Sequence, residues 1–208
     1  MTASKPQAGA AHWAKYYASL AQLPPPSSFA RHVAAKLDGP TRLVELGCGD
    51  GRDSVHFAAQ GHGVLGIDRC AEAIARATSR GGPARFVEAE LPIEAPRMRA
   101  HLHSGQPVLI YARFFLHALP EETAARLLTD LAALLGTGAR LALEYRTLAD
   151  ADLPKIHPPH YRRFVDHAAL QATLDHLGFS VTEATEGQGL SPHGGEDPVL
   201  GRVIALRR

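Results

Sequence analysis

Arg42-Leu43-Val44-Glu45-Leu46-Gly47-Cys48-Gly49-Asp50-Gly51-Arg52-Asp53-Ser54 decides the fold of this 208-residue chain. Leu43, Val44 and Leu46 make a short apolar run that reads as a buried strand. Glycines at alternate positions follow at once, and Ser54-Val55-His56-Phe57-Ala58-Ala59 opens a helical pattern. Glycine lets the backbone turn sharply and approach a ligand with no Cβ in the way. The helix after such a loop begins with unpaired N–H groups, which suit a carboxylate or the polar edge of a cofactor.

Spacing selects the cofactor. A dinucleotide site wants G-x-G-x-x-G. Here the third glycine comes one residue early, and Glu45 stands two residues before the first. This E-x-G-x-G-x-G form resembles motif I of the class I S-adenosylmethionine (SAM)-dependent methyltransferases. The alternative for a Gly-rich loop by itself is an ordinary strand-to-helix turn. The resemblance implies that Glu45, Gly47, Cys48, Gly49, Gly51, Arg52 and Asp53 hold SAM, with S-adenosylhomocysteine as product.

Downstream, Val64-Leu65-Gly66-Ile67-Asp68 reads as a second buried strand ending in an acid, 17 residues past Gly51 and 23 past Glu45. That interval suits one intervening helix. An acid at the carboxyl end of such a strand accepts the hydroxyls of a ribose in doubly wound folds. Asp68 is also placed to cap a helix over residues 71–79. Residues 84–92 supply a third strand and its exit. The resemblance puts Ala89 and Glu90 at the adenine, although the family more often has Asp in the place of Glu90, and puts Arg69 beside the ribose. Residues 93–104 predict a helix on which His101 and His103 face different ways and are solvated.

Pro107 to Ala112 is apolar throughout, as a central parallel strand should be. It runs into Arg113-Phe114-Phe115-Leu116-His117. Ligands of open α/β sheets lie beyond the carboxyl ends of the central strands, so this segment faces donor and acceptor. By resemblance to the family's fourth motif, Arg113 lines the methionine pocket and His117 faces substrate. The Asn- or Asp-Pro-Pro-aromatic motif of enzymes that methylate the amino groups of nucleic-acid bases is not found here. Residues 121–135 form an acidic-started amphipathic helix, and residues 139–145 a fifth strand. The alternation then stops. Residues 146–164 predict a long loop over the sheet, Asp166 a cap for a helix over residues 168–177, and residues 179–184 and 199–206 two antiparallel strands. The expected architecture is a Rossmann-like, doubly wound, seven-stranded sheet, mostly parallel with an antiparallel C-terminal strand and helices on both faces.

Before the first strand, residues 1–10 read as a frayed tail. A short helix over residues 11–20 carries Trp13 and Tyr17 and ends at Pro24-Pro25-Pro26. Ser27 or Ser28 caps a second helix, Phe29 to Leu37. Trp13 and Tyr17 either pack on the domain or form a lid touching the cofactor. The expected organisation is one domain, residues 1–208: a helical lid to residue 40, a SAM-binding core over 41–145, and substrate-side loops and C-terminal strands over 146–208.

Composition narrows the partners. A formal net charge of +1 supplies no field toward nucleic acid or anionic lipid. Two cysteines, Cys48 and Cys70, give neither a disulfide framework nor zinc spacing. With no secretory segment or long apolar run either, a cytoplasmic monomer or homodimer is expected. His157 and His160 alone do not make a metal site.

The expected acceptor wall is Arg113, His117, Arg146, His160, Tyr161, Arg162, Arg163 and His193, with Glu196 and Asp197 near in sequence. Arginines suit a small anionic acceptor, because guanidinium pairs bidentately with carboxylate or phosphate. Arg162 and Arg163 also read as a solvated pair. His117, then His160, is the expected base for a protonated acceptor, and each reads equally as a supporting histidine. Methylation of RNA, methylation of an inorganic anion such as tellurite or selenite, and SAM binding without catalysis are the alternatives.

Overall fold

The computed structural model describes residues 12–18, 24–90, 95–102, 105–156, 161–193 and 195–208. Seven strands form one sheet: β1 (Arg42–Leu46), β2 (Gly63–Asp68), β3 (Arg85–Glu88), β4 (Val108–Arg113), β5 (Arg140–Arg146), β6 (Phe179–Gly187) and β7 (Leu200–Arg207). Their order is β3-β2-β1-β4-β5-β7-β6. The first five pair in parallel, and β7 lies antiparallel between β5 and β6. The helices are α1 (residues 12–18), α2 (Ser28–Ala34), α3 (Arg52–Ala59), α4 (Ala71–Ser79), α5 (Ala95–Leu102), α6 (Glu121–Leu134) and α7 (His167–His176).

Side chains alternate across the sheet as strand geometry requires. Leu43, Leu109, Tyr111, Ala142 and Ile204 meet Phe29 and Val33 of α2 and Phe57 of α3 on one face. Val44, Leu46, Ile110 and Leu141 meet Met98, Leu127, Leu131 and Leu174 of α5, α6 and α7 on the other. Covering both faces explains why these strands read as continuous apolar runs rather than alternating ones. The strand order reverses between β1 and β4, which opens a crevice beyond their carboxyl ends.

Several expectations change in detail. Ser27, not Ser28, caps α2, its Oγ accepting the Ala30 N–H at 3.0 Å. Asp68 does not cap α4; the N-cap is Cys70, whose N–H donates to Asp68 Oδ1 at 2.9 Å. His101 is half-buried rather than solvated, with Nε2 within 3.2 Å of the Leu43 and Gly63 carbonyls. Two carbonyl partners make Nε2 the donor, so the ring plugs the bottom of the sheet. The segment after β5 carries a 3-10 turn, Leu148–Asp150, and a Thr147–Val165 bridge, so it is less open than a plain loop. His103 and residues 1–10 lie outside the described residues.

Candidate active site

The glycine loop is held by backbone geometry only glycine adopts easily. Gly47, Gly49 and Gly51 have φ of 69°, 53° and 74°. A Cβ on Gly47 would stand 2.5 Å from the Phe115 ring, and one on Gly51 2.7 Å from Ala77. One on Gly49 would strike the Tyr17 hydroxyl. The Gly47 and Cys48 N–H groups both donate to the Ile67 carbonyl, at 2.8 and 3.0 Å, which lashes the loop to the end of β2. Asp50 faces away from any ligand: Arg80 grips its carboxylate at 2.5 Å and its carbonyl at 2.6 Å.

Asp68 sits beside this loop. Its Oδ2 accepts the Gly49 N–H at 2.9 Å, and its remaining lone pairs suit a diol. Burial raises its pKa above the ordinary carboxylate value. Below the crevice, Glu45 accepts the Ser54 hydroxyl at 2.5 Å. Burial, and then the nearby Asp53, push Glu45 well up. Asp53 accepts the Ser27 N–H and hydroxyl at 2.7 Å each and the Tyr111 hydroxyl at 2.9 Å. A carboxylate so engaged fastens the segment before α2 to the loop.

On the opposite wall, Arg113 pairs at 2.8 Å with Glu144, which is fully buried and also held by Arg202 at 2.7 Å. The Arg113 guanidinium lies 4.2 Å over the Phe114 ring. Phe114, with φ of 54°, is left-handed, a costly state for an aromatic residue. Its N–H donates to the Glu144 carbonyl at 2.8 Å, and its ring packs edge-on to His117 at 5.6 Å. His117 is buried on a 3-10 turn, Leu116–Ala118; its Nδ1 accepts the Arg146 N–H at 3.3 Å and its carbonyl the Arg163 N–H at 2.7 Å. Arg146 Nη1 pairs with Asp150 at 2.7 Å and Glu196 at 2.8 Å. Burial, and then Arg146 nearby, pull Arg162 below the usual guanidinium range.

These walls enclose a cavity of about 880 Å³. Its lining includes Trp13, Tyr17, Glu45, Gly47, Cys48, Gly49, Arg52, Asp53, Asp68, Arg69, Ala89, Glu90 and Arg113. From the acceptor side come His117, Arg146, Tyr161, Arg162 and His193. The residues present fit SAM. A Cβ-free cradle, an acid at the end of β2 and a closed space meet at the strand-order reversal.

A methyltransferase-domain family model matches residues 13–184. The chain belongs to the methyltransferase family. SAM is its methyl donor. Among solved structures, the chain is similar to a SAM-dependent methyltransferase from Anabaena variabilis, 20% identical with TM-score 0.75, over 100% of this chain and 96% of that one. It is also similar to the magnesium protoporphyrin IX methyltransferase of Synechocystis with bound SAM, 18% identical with TM-score 0.60, over 100% and 86%. The putative methyltransferase in complex with the Trm112 activator of Haloferax volcanii is 13% identical with TM-score 0.69, over 98% and 97%. Among curated proteins, none matches.

Within this methyltransferase the predicted residues separate. Gly51 packs under the loop against Ala77 and Phe86 and does not line the cavity. Arg163 does not line it either, whereas its neighbour Arg162 does. His160 lies outside the described residues. Sequence reading did not assign roles to Phe114, Phe115, Ser27 or Glu144. Ser27 had a signal as a helix cap, but its bond to Asp53 had none, and nothing in sequence marks Phe114 as left-handed. The α1 residues His12, Trp13, Tyr16 and Tyr17 all line the cavity, so the helix lies over the crevice.

Proposed function

We propose that the methyltransferase acts on a small polar acceptor carrying an anionic group, and that Arg162 engages that group. One observation carries the reading: the guanidiniums of Arg146 and Arg162 influence one another within the cavity wall. Glu196 and Asp150 already pair with Arg146. Glu144 likewise occupies Arg113. An entering carboxylate or phosphate would relieve the like-charge contact and gain hydrogen bonds from a planar donor.

For the donor, the Gly47–Gly51 turn would receive the amino-acid end, Asp68 the ribose, and Ala89 and Glu90 the adenine. SAM, when bound, supplies an electrophilic methyl group on a sulfonium. The chain's own part is to align the acceptor, exclude water through α1 and the residues 189–198 loop, and place donors around developing charge.

Incubation with methyl-labelled SAM and a small-metabolite extract, in parallel with total RNA, tests the proposal. Label is expected in small molecules retained by an anion exchanger, and R162Q should raise the acceptor KM by about tenfold or more with SAM affinity little changed. Label in RNA would overturn it.

A further inference from the structure

We infer that the methyl group is placed on a carboxylate oxygen of the acceptor, giving a methyl ester, and that His117 donates a hydrogen bond to that carboxylate instead of removing a proton. The inference rests on the anionic-acceptor reading above and gives that acceptor its reacting atom.

The argument begins with a tautomer. His117 Nδ1 faces the Arg146 N–H at 3.3 Å, and a backbone N–H is only a donor. Nδ1 therefore offers its lone pair, and the neutral ring carries its proton on Nε2. To take a proton from substrate, Nε2 would first have to lose its own to Nδ1. That would set two N–H groups against each other in a buried site. Protonating Nδ1 instead creates the same clash and adds a cation beside Arg146. His117 is thus built to donate, and it lines the cavity.

Position says what it donates to. His117 follows directly on β4, and Phe115, two residues before it, packs against Gly47 of the cofactor loop. This is the crevice where donor and acceptor must meet, so a group touched by His117 is the reacting group rather than a remote handle. The acceptor-side carboxylates among the described residues are weak bases for a second reason. Glu144 is held by two arginines, and Asp150 and Glu196 share Arg146. A nucleophile that already carries a lone pair and a negative charge needs none of them.

The chemistry balances without a proton. A carboxylate lone pair forms the new O–CH3 bond while the S–CH3 bond of the sulfonium breaks and its electron pair stays on sulfur. The acceptor loses one negative charge and the donor its positive charge. His117 Nε2–H and Arg162 orient the carboxylate.

Three measurements test this. First, product labelled from methyl-SAM and the metabolite extract is treated with mild alkali; release of labelled methanol is expected. Alkali-stable label in an anionic product overturns the ester while leaving the anionic acceptor standing, and label confined to RNA overturns both. Second, imidazole nitrogen NMR of the cofactor-free protein should show Nε2 protonated and Nδ1 bare at His117; the reverse overturns the donor role whatever the activity. Third, kcat should be flat across neutral and mildly alkaline pH, whereas a rise with unit slope would reveal a base at His117 or at His160. H117A should lower kcat by ~100-fold, and H117Q, whose amide N–H reaches the Nε2 position, should recover about tenfold of that loss. Failure of H117Q to improve on a folded H117A would overturn the donor role.

Discussion

Glu45 shows what a single side chain contributes here. It is buried at the end of β1, and its only printed donor is the Ser54 hydroxyl. Burial, then Asp53, raise its pKa well above 4.5. A carboxyl raised on folding lends its full stability below its unfolded pKa and loses it as pH climbs through the folded value. E45Q should therefore melt a few degrees above the native protein at neutral pH, with the two curves converging near pH 4. Thermal denaturation across that range checks it. SAM affinity of E45Q, measured by calorimetry, should fall, since stability sacrificed at a cavity wall is stability spent on binding. At this scale the sequence was most readable where one residue type alone suits the backbone. Gly47 and Gly49 announce their left-handed turns. Phe114 does not announce its own, because that conformation follows from the Glu144 carbonyl and the Arg113 stack, both fixed by tertiary packing.

Among elements, α2 is the informative case. Its length and cap follow from Ser27 and the apolar spacing of Phe29, Ala30 and Val33. The Ser27 hydroxyl has two tasks, accepting the Ala30 N–H and donating to Asp53. S27A should cost about 2 kcal/mol in urea denaturation, the upper end of the range for a cap, because a buried acceptor also loses its donor. Ser28, whose hydroxyl bonds the Leu190 carbonyl at 2.6 Å, is not a cap and ties α2 to the loop before β7. Strands β1 to β5 were legible from their apolar runs and the turns between them. The join of α2 to α3 was not, since Ser27 and Asp53 are brought together only by the docking of both helices on the sheet.

For the whole molecule, the acceptor side depends on charge held in a dry wall. Arg146 compensates Asp150 and Glu196, which are 0% and 7% exposed. R146M would leave both acids facing an apolar side chain, with Lys155 at 3.5 Å the remaining cation near Asp150. Removing one member of a buried pair costs ~3–5 kcal/mol, so R146M should unfold at distinctly lower urea. R146M/E196Q should recover part of that loss, giving a measurable coupling energy in a double-mutant cycle. The arginines of this wall were readable as residues, but not as partners. Composition gave a net charge of +1 and hid a local network of opposed charges.

The grip of Asp53 on Ser27 and Tyr111 carries a further meaning. A roof and the floor beneath it are bolted through one carboxylate, which itself belongs to the fingerprint of the floor. Transplanting the N-terminal roof from a relative that lacks a matching serine would leave that bolt unthreaded, so the two parts travel through evolution as a set.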